Sequence, residues 1–203
     1  MDLKGTSFFH LHRFGQWFDQ TLSSLLTRVM AWSRGVETLG SLRTRGVPYF
    51  YRTPHSVIRI GEDCSIWSSF RSNNIGSMCR SRICTQTPKA RIEIEPRVGM
   101  SGVTITAHEQ VTIGADTIIG AGTVITDSDW HCLTPDVVSR HNTLGKSAPV
   151  TIGRNVFIGT RCIILKGVTI GDHAVIGAGS VVSSDIPDRV IAAGNPCRII
   201  KNL

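Results

Sequence analysis

The sequence predicts an all-β fold, a parallel β-helix preceded by one α-helical segment and interrupted by one protruding loop. Three observations carry that prediction. From Ile152 the chain reads in sixes, "IGRNVF IGTRCI ILKGVT IGDHAV IGAGSV VSSDIP". The first place is Ile or Val throughout, the second is Gly in four of the six, and the fifth is small or β-branched. The same rule holds in "IGADTI IGAGTV ITDSDW" from Ile113, with Thr117 and Thr123 in the fifth place. Composition agrees: 20 glycines and only 6% aromatic residues in 203 suit many turns around a core of small branched side chains. Third, the period changes before residue 57. Phe14, Phe18, Leu22, Leu25, Val29, Trp32 and Val36 recur in steps of three and four, one face of a helix.

A six-residue period has a physical cause. Each hexad makes one short strand and one turn, and three hexads close a triangular coil. The first position points into the narrow interior, and the following Gly tolerates a turn that a Cβ would oppose. Coils then stack with their strands paired in parallel, as in other solenoids. The chain divides into an N-terminal helical and extended cap, residues 1–56, and a β-helix domain, residues 57–203. Gly40, Gly46 and Pro48 break the helical pattern. "IGEDCS IWSSFR" from Ile60 and "IEPRVG MSGVTI" from Ile94 follow the hexad rule loosely, and one extra residue near Gln110–Thr112 shifts the frame. Ile125 begins a hexad, yet regular hexads resume only at Ile152. The residues at about 130–149 therefore leave the helix as a loop, and a loop that long inside a compact domain is usually functional. A dinucleotide-binding reading of "GAGS" fails because no helix of suitable length follows it.

Composition also narrows the partners. The net charge of +7 suits an anionic one, but no dense Lys/Arg block marks a nucleic-acid surface. Six cysteines are scattered without a CxxC pair, which argues against a structural zinc site and for reduced thiols in a cytoplasmic protein. No stretch approaches the ~20 apolar residues that span a bilayer, and the first residues lack the layout of a signal peptide. The N-terminal segment is basic, Lys4, Arg13, Arg28, Arg34, Arg43, Arg45 and Arg52 against Asp2, Asp19 and Glu37. It reads as a helix capping one end of the β-helix or, alternatively, as a peripheral contact with the inner face of an anionic membrane.

Three stretches resemble the left-handed β-helix, hexapeptide-repeat acyltransferases. "ITDSDWHCLTPDVVSR" is similar to the segment that bears the active-site histidine in the maltose, galactoside and xenobiotic acetyltransferase group. "APVTIGRNVFIGTRCIILKGVTIGDHAVIGAGSVVSSDIP" resembles their C-terminal coils, and "AAGNPCRII" the tail that closes the helix and reaches the cofactor. "GVPYFYRTP" and "SSFRSNNIG" are more like the subset that acts on capsule and O-antigen sugars. The resemblance implies a left-handed helix, a homotrimer of parallel prisms, and acetyl-CoA as acyl donor in grooves between chains, with no metal. The implied activity is O-acetylation of a sugar or saccharide hydroxyl in surface-polysaccharide biosynthesis.

Acetyl transfer to a hydroxyl needs a base, and an imidazole with a pKa near 6.5 suits that task. His131 alone falls at the family's position. His10 and His12 lie in the tail, His55 at the domain junction, His108 and His173 at hexad turns where solvation is the plain reading, and His141 in the loop. Asp129 either orients the imidazole or binds sugar, and Asp127 is a sugar ligand or a turn former. Trp130 stacks on sugar, walls off the thioester or anchors the loop. For the cofactor the resemblance points to Thr160, Ala178, Ser183, Ser184 and Arg198, with Lys166 and Lys201 as further cations. Ser183 and Ser184 stand where the family often has Thr and Lys. Gly102 stands where the galactoside and maltose enzymes place an acceptor-binding Asn. Ser101, Arg71, Asn73 and Asn74 are the candidate replacements.

Three other functions and one other mechanism compete. An amino-sugar N-acetyltransferase is a close relative. Cys132 as a covalent nucleophile, the rival to direct attack, has no second histidine placed beside it. A zinc hydrolyase on the same fold needs an H-x4-H pair, which the sequence does not contain. A non-catalytic β-helix scaffold is the fourth.

Overall fold

Each hexad turns through one corner, and six complete coils result. The computed structural model describes residues 3–70, 72, 79–133, 135–136 and 143–203, and of residues 3–12 and 14 the backbone only. Helix α1 (Leu3–Ser33) comes first. The first coil is β1 (Glu37–Thr38), β2 (Leu42–Arg45) and β3 (Tyr49–Tyr51). The second is β4 (Val57–Ile60), β5 (Cys64–Trp67) and β6 (Arg82–Thr85), and the third β7 (Arg91–Ile94), β8 (Gly99–Ser101) and β9 (Thr104–Ala107). The fourth is β10 (Gln110–Ile113), β11 (Ile118–Ile119) and β12 (Val124–Thr126), the fifth β13 (Val150–Ile152), β14 (Phe157–Ile158) and β15 (Ile163–Ile164). The sixth is β16 (Thr169–Ile170), β17 (Val175–Ile176) and β18 (Val181–Val182), followed by β19 (Val190–Ala193) and β20 (Arg198–Asn202).

The strands stack into three sheets, β1-β4-β7-β10-β13-β16, β2-β5-β8-β11-β14-β17-β19-β20 and β3-β6-β9-β12-β15-β18. All pairings are parallel except β19 with β20. The prism is left-handed, opposite to the usual crossover hand. In every regular hexad the first residue is inside: Ile113, Ile119, Ile125, Ile152, Ile158, Ile164, Ile170, Ile176 and Val182 are buried. The fifth place is buried too, and its threonines tie coils together. Thr117 Oγ1 donates to Gly153 O at 2.9 Å and accepts from Val156 N at 3.1 Å. Thr123 does the same for Gly159 O and Cys162 N one corner on.

The second-place glycines serve a different end from the one the sequence suggests. Positive φ falls at the fourth place instead, at Asp63, Arg97, Asp116, Gly122, Asn155, Arg161, Gly167, His173 and Gly179. The second-place glycines keep ordinary φ, but stacked corners pass too close for a side chain. A Cβ on Gly159 would lie 2.5 Å from Ala178 N, and one on Gly114 2.5 Å from Gly153 C. Both obstacles are backbone, which no rotamer change relieves. Gly159→Ala is therefore expected to cost about 3 kcal/mol, the upper end of overpacking. Gly179→Ala meets no atom within 4 Å at φ 71°, and is expected to cost about 1 kcal/mol of left-handed strain. Urea midpoints of the two variants test the order.

The β-helix starts one coil earlier than the sequence suggests. Residues 37–51 pair in register with the second coil, Leu42 with Cys64 and Phe50 with Ile83. Leu42, Thr44 and Phe50 replace the Ile-Gly signature at its inward positions, so the hexad rule does not reveal it. Helix α1 closes the open end of this coil, the capping role, but with the face opposite to the apolar one. Ser23, Thr27 and Ala31 are its buried residues among those whose side chains are described. The reason is polar. Among the described residues no strand lies beneath β2, whose edge needs partners. Ser24 Oγ accepts from Thr44 N at 2.9 Å, Ser23 Oγ from Gly46 N at 3.0 Å, and Thr27 meets Thr44 hydroxyl to hydroxyl at 2.9 Å.

Candidate active site

The loop leaves the prism at the corner between β12 and β13, and both its ends are held from the coil below and the coil above. Ala148 N donates to Asp127 O, Ser128 and Ser147 form an antiparallel bridge, Asp129 N donates to Lys146 O, and Cys132 N to Thr143 O. The chain thus departs at Asp127 rather than at Trp130, as a zipped pair of strands.

Below the root, Asp127 is fully buried. Its carboxylate accepts from the backbone N–H groups of His108, Glu109 and Gln110 at 2.7, 2.6 and 2.8 Å, which form the turn of the preceding coil. Burial pushes this carboxyl up while the three N–H groups pull it the other way. Asp127 thus has the turn-holding place, and its oxygens face the protein rather than a sugar. His108, expected to be solvated, is buried beside it, Nδ1 3.9 Å from Asp127 Oδ1 and without a hydrogen-bond partner. Its ring meets Trp130 edge to face at 5.1 Å. No spacing rule reveals this contact, because the two residues are neighbours only through stacking of successive coils.

Burial holds the His108 imidazole below its ordinary value, against the Asp127 carboxylate. Below about pH 6.5 the unfolded chain takes up a proton that the folded chain resists, so stability falls as pH drops through that range. Urea midpoints should decline less steeply in His108→Gln than in wild type. Equal slopes would remove His108 as the titrating group.

Above the root, Lys166 follows β15 on the same corner and donates to Asp129 Oδ1 at 2.7 Å. Lys166 is half-buried in that ion pair rather than solvated. Between these two clamps the chain makes a three-residue γ-turn, His131 N donating to Asp129 O at 2.7 Å with Trp130 at φ 64°. Trp130 is held by Nε1 donating to Thr126 Oγ1 at 3.2 Å and by Ser128 Oγ, which accepts from its N–H at 3.0 Å. That is an anchoring role, with part of the indole left exposed. His131 is exposed at the end of this turn. Gly145 packs against it so closely that a Cβ would lie 2.6 Å from His131 O.

The cofactor candidates fall on two corners. Thr160 and Ala178 lie on successive turns between the second and third sheets, linked by Gly179 N donating to Thr160 O at 2.8 Å. Arg198 is carried to that edge by β20, opposite Ala193. The small residues Gly120, Gly159, Gly177 and Gly194 recur along this corner. Ser183 and Ser184 are exposed around the next corner, above Lys166 and the loop root. Ser101 is nearly buried in β8, across the third sheet from His131. Asn73, Asn74, Arg71 and His141 lie outside the described residues.

The thiols of Cys64, Cys84, Cys162 and Cys197 are buried, and burial pushes each of them up, which suits packing rather than nucleophilic chemistry. Among the described residues no group of three or more His, Cys, Asp or Glu is placed to hold a metal ion.

Comparison with known proteins agrees with this architecture. Residues 149–184 match the hexapeptide repeat of succinyl-transferase. Galactoside O-acetyltransferase of Escherichia coli is 46% identical over 101 residues, which cover 50% of this chain and 48% of that protein. The match thus spans about half the length of that relative. A hexapeptide-repeat acetyltransferase from Vibrio cholerae, solved with acetyl coenzyme A, is 29% identical, with a TM-score of 0.50 over 59% of this chain and 68% of its own. AntD, an N-acyltransferase from Bacillus cereus solved with dTDP-4-amino-4,6-dideoxyglucose and coenzyme A, shares the fold at 18% identity, with a TM-score of 0.66 over 86% of this chain and 88% of its own. By its repeats, its left-handed prism and these likenesses, the chain is a left-handed parallel β-helix of hexapeptide repeats, similar over part of its length to hexapeptide-repeat acetyltransferases.

Proposed function

We propose that the chain transfers an acetyl group from coenzyme A to a sugar-linked acceptor, with His131 as general base. The γ-turn at the loop root carries this reading. Trp130 takes positive φ at the sixth place of its hexad, not the fourth where the regular corners carry it, so this backbone turn belongs to the loop root. Here it presents an exposed imidazole from a root clamped above and below.

The imidazole takes the proton of the acceptor group as that group's oxygen or nitrogen attacks the thioester carbonyl. The tetrahedral intermediate then collapses, the C–S bond breaks, and the imidazolium returns the proton to the departing thiolate. Asp129, paired with Lys166, positions the turn through its backbone carbonyl. The stacked turns of Thr160 and Ala178 suit an extended pantetheine chain, and the Arg198 guanidinium a phosphate. A three-fold assembly is part of the proposal. Ile118 and Phe157, register partners on the outer face of the second sheet, are exposed, an apolar strip that a neighbouring prism would cover.

A hydroxyl of a surface-polysaccharide sugar is the first reading of the acceptor. An amino sugar is the second, favoured by the wider coverage of the AntD likeness. Incubation of the purified chain with acetyl-CoA and paired acceptors, hydroxyl-only and amino, separates them. Thiol release followed by mild alkali treatment reads the bond: an ester loses its acetyl group and an amide keeps it. Absence of thiol release with every acceptor, together with absence of acetyl-CoA binding, would leave the scaffold reading in its place.

A further inference from the structure

The exposed face of α1 is unaccounted for by the prism or by acyl transfer. The docked residues Ser23, Thr27 and Ala31 define one side of the helix. At about 100° per residue, Phe18, Leu25 and Val29 lie within about 20° of the opposite pole, with Leu22 and Trp32 about 40° from it. All five are exposed, Trp32 at 82%. The stripe runs about 21 Å along the helix. Because it points directly away from the coil that α1 covers, no other element among the described residues is placed to bury it. A contiguous apolar face of this size on a helix marks a contact surface.

The chemistry around the stripe selects the partner. Trp17 and Trp32 bring indoles, which favour the boundary between hydrocarbon and headgroups. Arg28 stands on the flank, and Arg13 lies further toward the docked side. The carboxylate of Asp19 accepts from the Ser23 hydroxyl at 3.3 Å. Residues 1–56 hold seven Lys/Arg against three Asp/Glu. No helix among the described residues is long and apolar enough to cross a membrane. A helix with a one-sided apolar stripe and an arginine at its flank, within a basic segment, lies in the interface plane of a bilayer instead. We infer that α1 docks the protein flat on an anionic lipid surface through Phe18, Leu22, Leu25, Val29 and Trp32. Hydroxyls hold its other side to the prism, so docking requires no unfolding of the cap. The inference stands apart from the acyl-transfer reading, since it concerns neither His131 nor the loop.

Co-sedimentation of the full chain tests it, with vesicles of phosphatidylcholine alone and of phosphatidylcholine mixed with phosphatidylglycerol. Binding is expected to the mixed vesicles, weakening as salt is raised. The double substitution Leu25→Glu with Val29→Glu should reduce it by about tenfold or more. Both side chains are exposed, and circular dichroism checks that the prism persists. The wild-type chain supplies a second readout independent of the variant, a blue shift of tryptophan emission on adding mixed vesicles. Failure of wild type to sediment with either vesicle, or equal binding by the variant, would overturn the proposal. So would a drop in assembly size in the variant without a change in lipid binding, which would give the stripe to a second copy of the chain.

Discussion

His131→Ala is expected to lower kcat by about 10²–10⁴-fold, the usual contribution of a positioned general base. Acetyl-CoA affinity should stay within about twofold. The two halves of this expectation separate a base from a structural residue. His131 is exposed at the end of its turn, and its backbone N–H supplies the γ-turn bond to Asp129 O whatever the side chain. Alanine therefore keeps the backbone bond of the turn and removes the imidazole, and the urea midpoint checks that the fold persists. Single-turnover measurement with saturating acetyl-CoA isolates the transfer step. A rate within about threefold of wild type would remove His131 from the chemistry and open the way for another loop residue.

Asp127→Ala is expected to destabilise the protein by about 3 kcal/mol, since it leaves three backbone N–H groups without their acceptor at about 1–3 kcal/mol apiece before water relieves any of them. His108, Glu109 and Gln110 donate to this carboxylate from the coil below, so its loss also frees the loop root. Transfer should weaken with it, through kcat. Asp127→Asn should lie between, because its amide keeps one acceptor but turns an NH2 group toward donors. A sugar-binding aspartate would behave otherwise: its alanine variant would raise the acceptor KM at unchanged stability.

How far the sequence carries depends on whether a contact repeats. The regular hexads were legible because one rule, an inward Ile every six residues, places Ile152 and Ile176 alike. The first coil was not, since Leu42, Thr44 and Phe50 fill its interior without Gly beside them. The helical period of α1 was legible, but not which side docks. Burial follows the coil's unpaired N–H groups there, and these attract Ser23 and Ser24 rather than Leu25. At the site, the loop and the position of His131 were readable from the break in the hexads and from resemblance. The burial of His108, the spanning role of Asp127 and the Lys166–Asp129 pair were not. Each joins residues 17 to 37 apart that meet only because coils stack.

Stacking also makes the prism a ruler. Adjacent strands are set about 4.8 Å apart, so every corner stands at a whole number of such steps from the end that α1 covers. The loop root, between the fourth and fifth coils, is three to four steps up, about 15–20 Å from the first coil. Insertion of one full coil below it would raise His131 by a single step while leaving its direction around the axis unchanged. Reach, measured from whatever surface α1 rests on, is thereby a quantity that whole repeats adjust in fixed increments, separately from the chemistry they carry.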